Sequence, residues 1–354
     1  MHTIYSIMLL GDFMQNIQNN LINWYIKNHR DFPWRQTKDP YHIWISEIML
    51  QQTTTEAVIP YYINFLKRFP TIHTLAASSL EDVYKMWEGL GYYRRAKHIH
   101  ETAQIIVLEY NGIFPSDYNK IIKLKGIGPY TAGAISSIAF DQTTPAIAGN
   151  VLRIMSRVYL IKDNIALNKT QKMITAIVSS LLQGYDASSF NQGLMDLGAT
   201  ICRPISPKCE ICPIQMHCKA YQHNQQSVLP IHIKNVKHKE LHYITGIITY
   251  KDQYFLIQNP PGGLLENLYG MKQYELESPY SFQETFENEY QCSLSIVSYI
   301  QDIKHVFTHR TWHMHVYHFE LQHPINNLYT LYQINQLALS TAHLKVLKAY
   351  LKRL

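Results

Sequence analysis

Four of the chain's five cysteines stand between Cys202 and Cys218, spaced Cys202-x6-Cys209-x2-Cys212-x5-Cys218. In a reducing compartment such crowding points to a metal site before it points to disulfides. Four thiolates from one short loop can wrap a tetrahedral metal or the corners of a cubane cluster. The close Cys209-x2-Cys212 pair supplies two adjacent corners, and the wider gaps let the loop travel round. The spacing is not the paired CxxC…CxxC of a zinc ribbon. A zinc site of another design and unligated thiols are the competing readings. Cys292 sits alone in the second half and reads as a small buried hydrophobe.

At 354 residues the chain is too long for one core and about right for two domains. Its hydrophobic share of 46% is that of a globular protein, which excludes a disordered chain. Thirty-two basic residues against 26 acidic leave a net charge of +6. That excess suits a polyanionic partner, and equally suits plain solubility. No apolar run reaches the ~18–20 residues that span a bilayer, so no membrane partner is expected. The start, Met1 to Phe13, carries Ile4, Ile7, Met8, Leu9 and Leu10 but no basic lead, and runs into Gly11-Asp12 rather than a cleavage site. It reads as an extension or an over-called start, with Met8 or Met14 as the true one, and the protein as cytoplasmic.

Helical spacing dominates from about Leu21 to Tyr221. Val58, Tyr62, Phe65, Leu66 and Phe69 form one stripe; Ala96, Ile99, Ala103, Ile106 and Tyr110 form another. Met173, Ile174, Ile177 and Leu181 follow a cap at Asn168. Phe32-Pro33, Phe69-Pro70, Gly89 to Gly91 and Phe114-Pro115 divide the stretch into many short helices. The polar segment 222–240, with Lys234, Lys237 and Lys239, reads as a solvated linker with some phosphate contact. Beyond it, Leu241 to Tyr250 and Tyr254 to Gln258 flank Lys251-Asp252 as a hairpin. Ile303 to Phe307 and Thr311 to Leu321 read as strands, and Ser281 to Tyr290 and Ala342 to Leu351 as helices. The second half is therefore a mixed α/β domain.

Between two helical patterns lies Leu124-Lys125-Gly126-Ile127-Gly128-Pro129-Tyr130-Thr131-Ala132. Gly126 and Gly128 permit a tight hairpin whose N–H groups approach a phosphate with no Cβ in the way. Pro129 suits the first turn of the next helix, whose N-terminus also favours an anion. Such a contact holds a DNA backbone and carries no sequence information.

With this hairpin the chain resembles the helix-hairpin-helix, iron–sulfur DNA glycosylase superfamily. Trp44-Ile45-Ser46-Glu47-Ile48-Met49-Leu50-Gln51-Gln52-Thr53 is similar to its Glu-bearing helix, and Trp87-Glu88-Gly89-Leu90-Gly91-Tyr92-Tyr93 to its minor-groove wedge. The hairpin, Gly149-Asn150-Val151 and the cysteine loop complete five motifs in the family's order, over roughly residues 21 to 220. The closest branch is the adenine-removing, MutY-type one. The resemblance implies a [4Fe–4S] cluster on Cys202, Cys209, Cys212 and Cys218, with Lys208 and Lys219 placed to face phosphates. It implies an all-α, two-lobed glycosylase domain over 11–221 with its iron–sulfur loop at 202–218, a linker at 222–240, and a C-terminal α/β Nudix-like domain over 241–354.

A glycosylase must extrude its target base before reacting with it. The resemblance makes Gln52 and Tyr92 the residues that fill the gap, with Thr53 beside them. Cleaving the N-glycosidic bond then needs an acid for the leaving base and an anion for the cationic sugar, as in sugar hydrolysis. Glu47 matches the family acid, which protonates adenine at N7. Its apolar flanks, Ile45, Ile48 and Met49, suggest a setting that raises its pKa. Tyr130 occupies the position where bifunctional relatives carry a Schiff-base lysine. A phenol forms no imine, so hydrolysis to an intact abasic site is implied. Asn150 is the third catalytic candidate.

The family's second carboxylate is the Asp of an Asp-Gly-Asn-Val segment; here the segment ends Ala148-Gly149-Asn150-Val151. A methyl group stabilises no cation. An anion about 4 Å from the sugar cation is worth ~4 kcal/mol at an effective dielectric of 20, on the order of 10³-fold in rate. Asp141 is the nearest acid upstream, and nothing in the sequence brings it to the site. Either a deliberate Asp→Ala change traps substrate, or the natural protein has lost or weakened its activity.

In the second half, Leu264-Leu265-Glu266-Asn267-Leu268-Tyr269-Gly270 resembles the Leu-rich entry of the branch's Nudix-like domain, which reads oxidised guanine. Phe307-Thr308-His309 resembles its Phe-Ser-His loop with the hydroxyl kept, so Thr308 and His309 join the DNA-binding candidates. The Nudix acidic box is not seen around Gln283 to Tyr290, and no nucleotide pyrophosphatase activity is expected. The whole predicts a nucleoid-associated, monomeric enzyme. Its partner is double-stranded DNA carrying adenine mispaired with 8-oxoguanine or guanine. The competitors are a non-catalytic mismatch-binding protein and a G·T thymine glycosylase of the same superfamily.

Overall fold

The computed structural model describes residues 17–233 and 238–353. The apolar start, Lys234 and Lys237 lie outside the described residues. Two compact units form. One holds the described residues up to Ala77 and those from His98 to 233; the other holds Ser78–Lys97 and those from 238 onward.

The first unit is helical. α1 (17–28) leads to α2 (Pro40–Met49), whose start is set by Pro40 in its first turn and by Asp39, whose side chain accepts from Tyr41 N. α2 is buried on nearly every side, with Ile43, Trp44, Ile45, Ile48 and Met49 all at most 3% exposed. It packs on α3 (Thr55–Arg68), where Val58, Tyr62 and Phe65 are buried as the stripe predicts. Beyond α4 (Ile72–Ala76) the chain leaves this unit for α5 (Leu80–Met86) and returns within α6 (Arg94–Tyr110); α7 (Tyr118–Ile121) then leads to α8 (Pro129–Phe140), which also packs on α2. A second centre gathers α1, α9 (Gly149–Val158), α10 (Asn168–Leu181) and α11 (Ala187–Thr200) around Leu21, Val151, Ile154, Ile174, Phe190 and Leu194. α10 is capped at Leu167, without a side-chain bond, and not at Asn168 as the sequence suggested. No helix among the described residues is long and apolar enough to cross a membrane.

The second unit is a sheet with a helix on each face. Its strands run β6 (Leu294–Val306), β7 (Arg310–Leu321), β1 (Lys239–Tyr250), β2 (Gln253–Phe255), β8 (Leu328–Thr330), with β5 (Lys272–Tyr274) also pairing β1 and a separate pair of β3 (Ile257–Gln258) and β4 (Tyr269–Gly270). β1 and β7 are parallel, while β6 and β7 are antiparallel. The hairpin at Lys251-Asp252 is present, closed by Thr249 opposite Tyr254, with Lys251 left-handed at φ 55°. A helix over Pro279–Tyr290 buries Phe282 and Phe286 against Ile244, Ile248 and Phe319. A last helix, Thr341–Leu351, covers the other face through Val346, Leu347 and Tyr350 against Ile247, Met314 and Val316.

Ser78–Lys97, which the sequence reading counted with the helical half, packs into this unit. Lys85 Nζ donates to Leu337 O at 3.0 Å, and Glu88 accepts from Leu339 N at 3.0 Å. Tyr93 OH donates to Leu339 O at 3.0 Å, and Lys97 pairs with Glu266 at 2.7 Å. These partners lie far apart in sequence, which is why periodicity could not reveal them.

Candidate active site

A cavity of about 200 Å³ opens among the helices of the first unit. Glu47 reaches it from the last turns of α2, Tyr130 from the first turn of α8 and Asn150 from the first turn of α9, with Thr53 from the loop after α2. Four sequence-predicted residues therefore meet in one space. Trp34, Arg30, Arg35 and Gln192 line it too, and the sequence reading missed them. Phe32-Pro33 was read only as a breaker, although the same segment forms a 3₁₀ turn that carries Trp34 and Arg35.

Burial raises the Glu47 carboxyl above its ordinary pKa; the Tyr130 hydroxyl and the Arg35 charge offset this only in part. Glu47 is 5% exposed, and its Oε2 has no hydrogen-bond partner among the described residues. Tyr130 is driven well above the usual phenol range by burial and then by Glu47, so it remains a neutral hydroxyl.

The start of α9 brings Asn150 to the cavity, while Ala148 is not among the described lining residues. Ala148 is the N-cap there, extended at φ −99°, and offers no side-chain bond. Asn150 Nδ2 donates to Met195 O at 3.3 Å. The segment entering Ala148 is firmly held: Asn191 accepts from Ala146 N and donates to Thr144 O at 2.9 Å. Gly133 of α8 has no room for a side chain, because a Cβ would stand 2.1 Å from Pro145 O. Asp141 is exposed and paired with Lys38 at 2.8 Å, and does not line the cavity. Glu47 is the one carboxylate among the lining residues.

Gly126, in the hairpin before α8, is left-handed at φ 76°, and a Cβ there would strike His98 at 2.6 Å. Gly128 is extended and caps α8, with open space where a Cβ would point. Only the first glycine is demanded by the protein's own packing; the second leaves the helix N-terminus uncovered. Gln52, outside the cavity lining, is exposed and left-handed at φ 58°. A non-glycine residue seldom adopts that conformation unless the surroundings hold it there.

In the second unit, Tyr92 is likewise left-handed at φ 50° and 47% exposed. Its hydroxyl lies 2.9 Å from Thr308 Oγ1. Thr308 and His309 form the exposed tip between β6 and β7, closed by Phe307 N donating to Arg310 O at 2.8 Å. Phe307 anchors the tip against Trp312, ring centres 4.8 Å apart. The neighbouring histidines do not converge on His309. His313 stacks on His242 and bonds Glu240, while His318 lies on the opposite face beside Thr249 and Tyr350.

The cysteine loop follows α11 and is closed by two 3₁₀ turns, Cys209–Ile211 and Gln215–His217. No thiol is in a disulfide. Burial pushes Cys212 up to about 12, and the fields of Cys202, Cys218 and Cys209 act on it as well. Among the described residues, no three His, Cys, Asp or Glu side chains converge where a single ion would sit. The donors are all thiols, and a buried guanidinium, Arg157, donates to Cys202 Sγ at 3.3 Å. That chemistry fits a thiolate-bound cluster, whose cation charge would offset the burial that raises Cys209, Cys212 and Cys218.

The sequence pattern of the HhH-GPD superfamily base excision DNA repair proteins matches residues 45–183, and that of the NUDIX domain matches residues 244–349. The adenine DNA glycosylase of Buchnera aphidicola subsp. Baizongia pistaciae (strain Bp) is 38% identical over 295 residues, covering 82% of each chain. That of Buchnera aphidicola subsp. Acyrthosiphon pisum (strain APS) is 42% identical over 252 residues, covering 70% of this chain and 71% of its own. Among solved structures, a thermostable thymine-DNA glycosylase superimposes with a TM-score of 0.56 at 29% identity, covering 60% of this chain and 99% of that one. With cavity, hairpin and sheet domain in this order, the chain belongs to the adenine DNA glycosylase family.

Proposed function

We propose that the chain hydrolyses the N-glycosidic bond of adenine opposite oxidised guanine or guanine in duplex DNA. One observation carries the reading: a buried carboxyl, Glu47, stands in the cavity wall with a raised pKa and an unpartnered oxygen. A carboxylic acid that burial holds toward its protonated form is equipped to give its proton to N7 of an extruded adenine. Tyr130, a neutral phenol beside it, forms no imine with the sugar, so water completes the reaction and the strand stays intact. Asn150 borders the sugar side. Gly126, Gly128 and the N-terminus of α8 grip the backbone; Gln52 and Tyr92 fill the vacated stack; Thr308 and His309 meet the partner base. Cys202, Cys209, Cys212 and Cys218 hold a [4Fe–4S] cluster, which when bound supplies the iron–sulfur bonds that fasten their loop.

Ala148 removes the anion that would steady the sugar cation, so the acid works alone and slowly. The test is single-turnover adenine release from an 8-oxoguanine·adenine duplex by this chain and by Ala148→Asp, side by side. Release by this chain, without strand nicking, supports the reading; release only by Ala148→Asp keeps the family and rejects activity in this chain. Thymine release from G·T exceeding adenine release overturns the substrate, and duplex binding with no release from either protein overturns the reaction. Purified protein lacking iron and its brown colour removes the cluster.

A further inference from the structure

Asp196, on α11, is a buried hub that the proposed reaction does not yet use. Its carboxylate, 1% exposed, accepts from Arg30 N at 3.2 Å, Nε at 2.9 Å and Nη2 at 2.7 Å. It also accepts from Arg35 Nη1 at 2.6 Å and Nη2 at 3.0 Å. Both arginines line the cavity that holds Glu47, while Asp196 stands behind them; its helix presents Gln192, Met195 and Ala199 to the cavity instead. The two guanidiniums lie over the ring of Phe32, another wall residue, at 4.8 and 5.1 Å. Arg35 Nη1 also reaches Arg30 O at 2.8 Å.

Burial acts to raise the Asp196 carboxyl, but the bonds and charge of Arg35, then of Arg30, outweigh it and hold it below the usual range. Asp196 is therefore ionised. The charged and titratable groups bearing on Glu47 are Tyr130 from α8 and Arg35 from the segment before α2. Those bearing on Asp196 are the same two arginines, and Tyr25 of α1 senses Arg35, Asp196 and Asp186. Arg35 is the cation that acts on Glu47; with Arg30 and Asp196 it forms a cluster of one net positive charge at the cavity wall. Neutralising Asp196 doubles it; removing Arg35 cancels it. Nearby cations favour the carboxylate form of an acid, most strongly where water is excluded.

We propose that Asp196 is a positioning residue of the base-releasing reaction: it fixes the planes of Arg30 and Arg35 along the cavity wall and absorbs enough of their charge to leave the proton on Glu47. The inference deepens the reading of Glu47 as the acid and rests on it.

The test is the titration of Glu47 itself, followed by carbon-13 resonance in the full-length, cluster-loaded protein labelled at glutamate side-chain carboxyls. The Glu47 signal is identified by its loss in Glu47→Gln. Asp196→Asn should lower the midpoint by about one pH unit or more, a tenfold loss of the protonated form above it. Arg35→Met should raise it, and the double variant should return to within about 0.3 units of the parent, a compensation that mere loss of packing does not produce. A midpoint unmoved in folded Asp196→Asn, or lowered further in the double variant, overturns the proposal. Should Asp196→Asn fail to fold, Arg35→Met decides alone, and no rise overturns it. Absence of adenine release in every background would reject the acid role yet leave these midpoints readable, so the two failures are distinct.

Discussion

Two regions of the helical unit are built to different standards. In one, α2 and α8 bury Glu47 and Tyr130 together, and burial keeps the carboxyl toward its neutral, proton-bearing form. In the other, Asn191 and Gly133 hold the segment entering α9, whose N-cap, Ala148, makes no side-chain bond. On the proposed reading, the backbone at the anion's position is held while the charge itself is missing. Placement and charge are thus separable in this fold, and each can be altered while the other stays.

The sharpest way to exploit that separation is Ala148→Asp. If the scaffold alone survives, restoring the charge raises single-turnover adenine release on the order of 10³-fold. A gain below about threefold would mean that the sugar cation is met elsewhere and would break the comparison. Next is Glu47→Gln, tested in the Ala148→Asp background so that a loss is measurable. It keeps the shape and removes the proton, and release should fall by roughly 10²-fold or more with duplex binding retained.

The pH profile should carry the same signature. Glu47 must be protonated to act, so release holds at low pH and falls about tenfold per unit once pH rises above its elevated pKa. The sign for stability is the same. Between the ordinary carboxyl value and the raised one the folded state binds more protons, so stability declines as pH rises through that window. Denaturant titrations across the window should show this slope in the parent and not in Glu47→Gln. The smallest effect separates capping from charge. Ala148→Asn supplies the missing N-cap acceptor without an anion, and should add about 1 kcal/mol of stability with no gain in rate.

How much of this could be read from residues alone follows the distance over which each feature is encoded. The cysteine spacing, the left-handed Gly126 and the Pro129 start of α8 are local, and they were legible. Glu47, Tyr130, Thr53 and Asn150 were legible through resemblance, and the cavity brings all four together. Asp196 was not, because its partners Arg30 and Arg35 lie 166 and 161 residues away and no pattern links them. The first half of β6 was missed for a different reason. Register shifts at Ile296/Ser298 and Tyr299/Gln301 break the alternation by which a strand is recognised.

The assignment of Ser78–Lys97 reaches into practice. Severing the chain after the last helix of the N-terminal half would strip Tyr92 of Thr308, Tyr93 and Glu88 of the Leu339 backbone, and Lys97 of Glu266. A shortened protein of this kind would keep the cavity around Glu47 while the segment carrying Tyr92 lost every one of those moorings. On the proposed reading, weakened lesion discrimination in such a fragment would then report a loosened Tyr92 as much as the loss of Thr308 and His309.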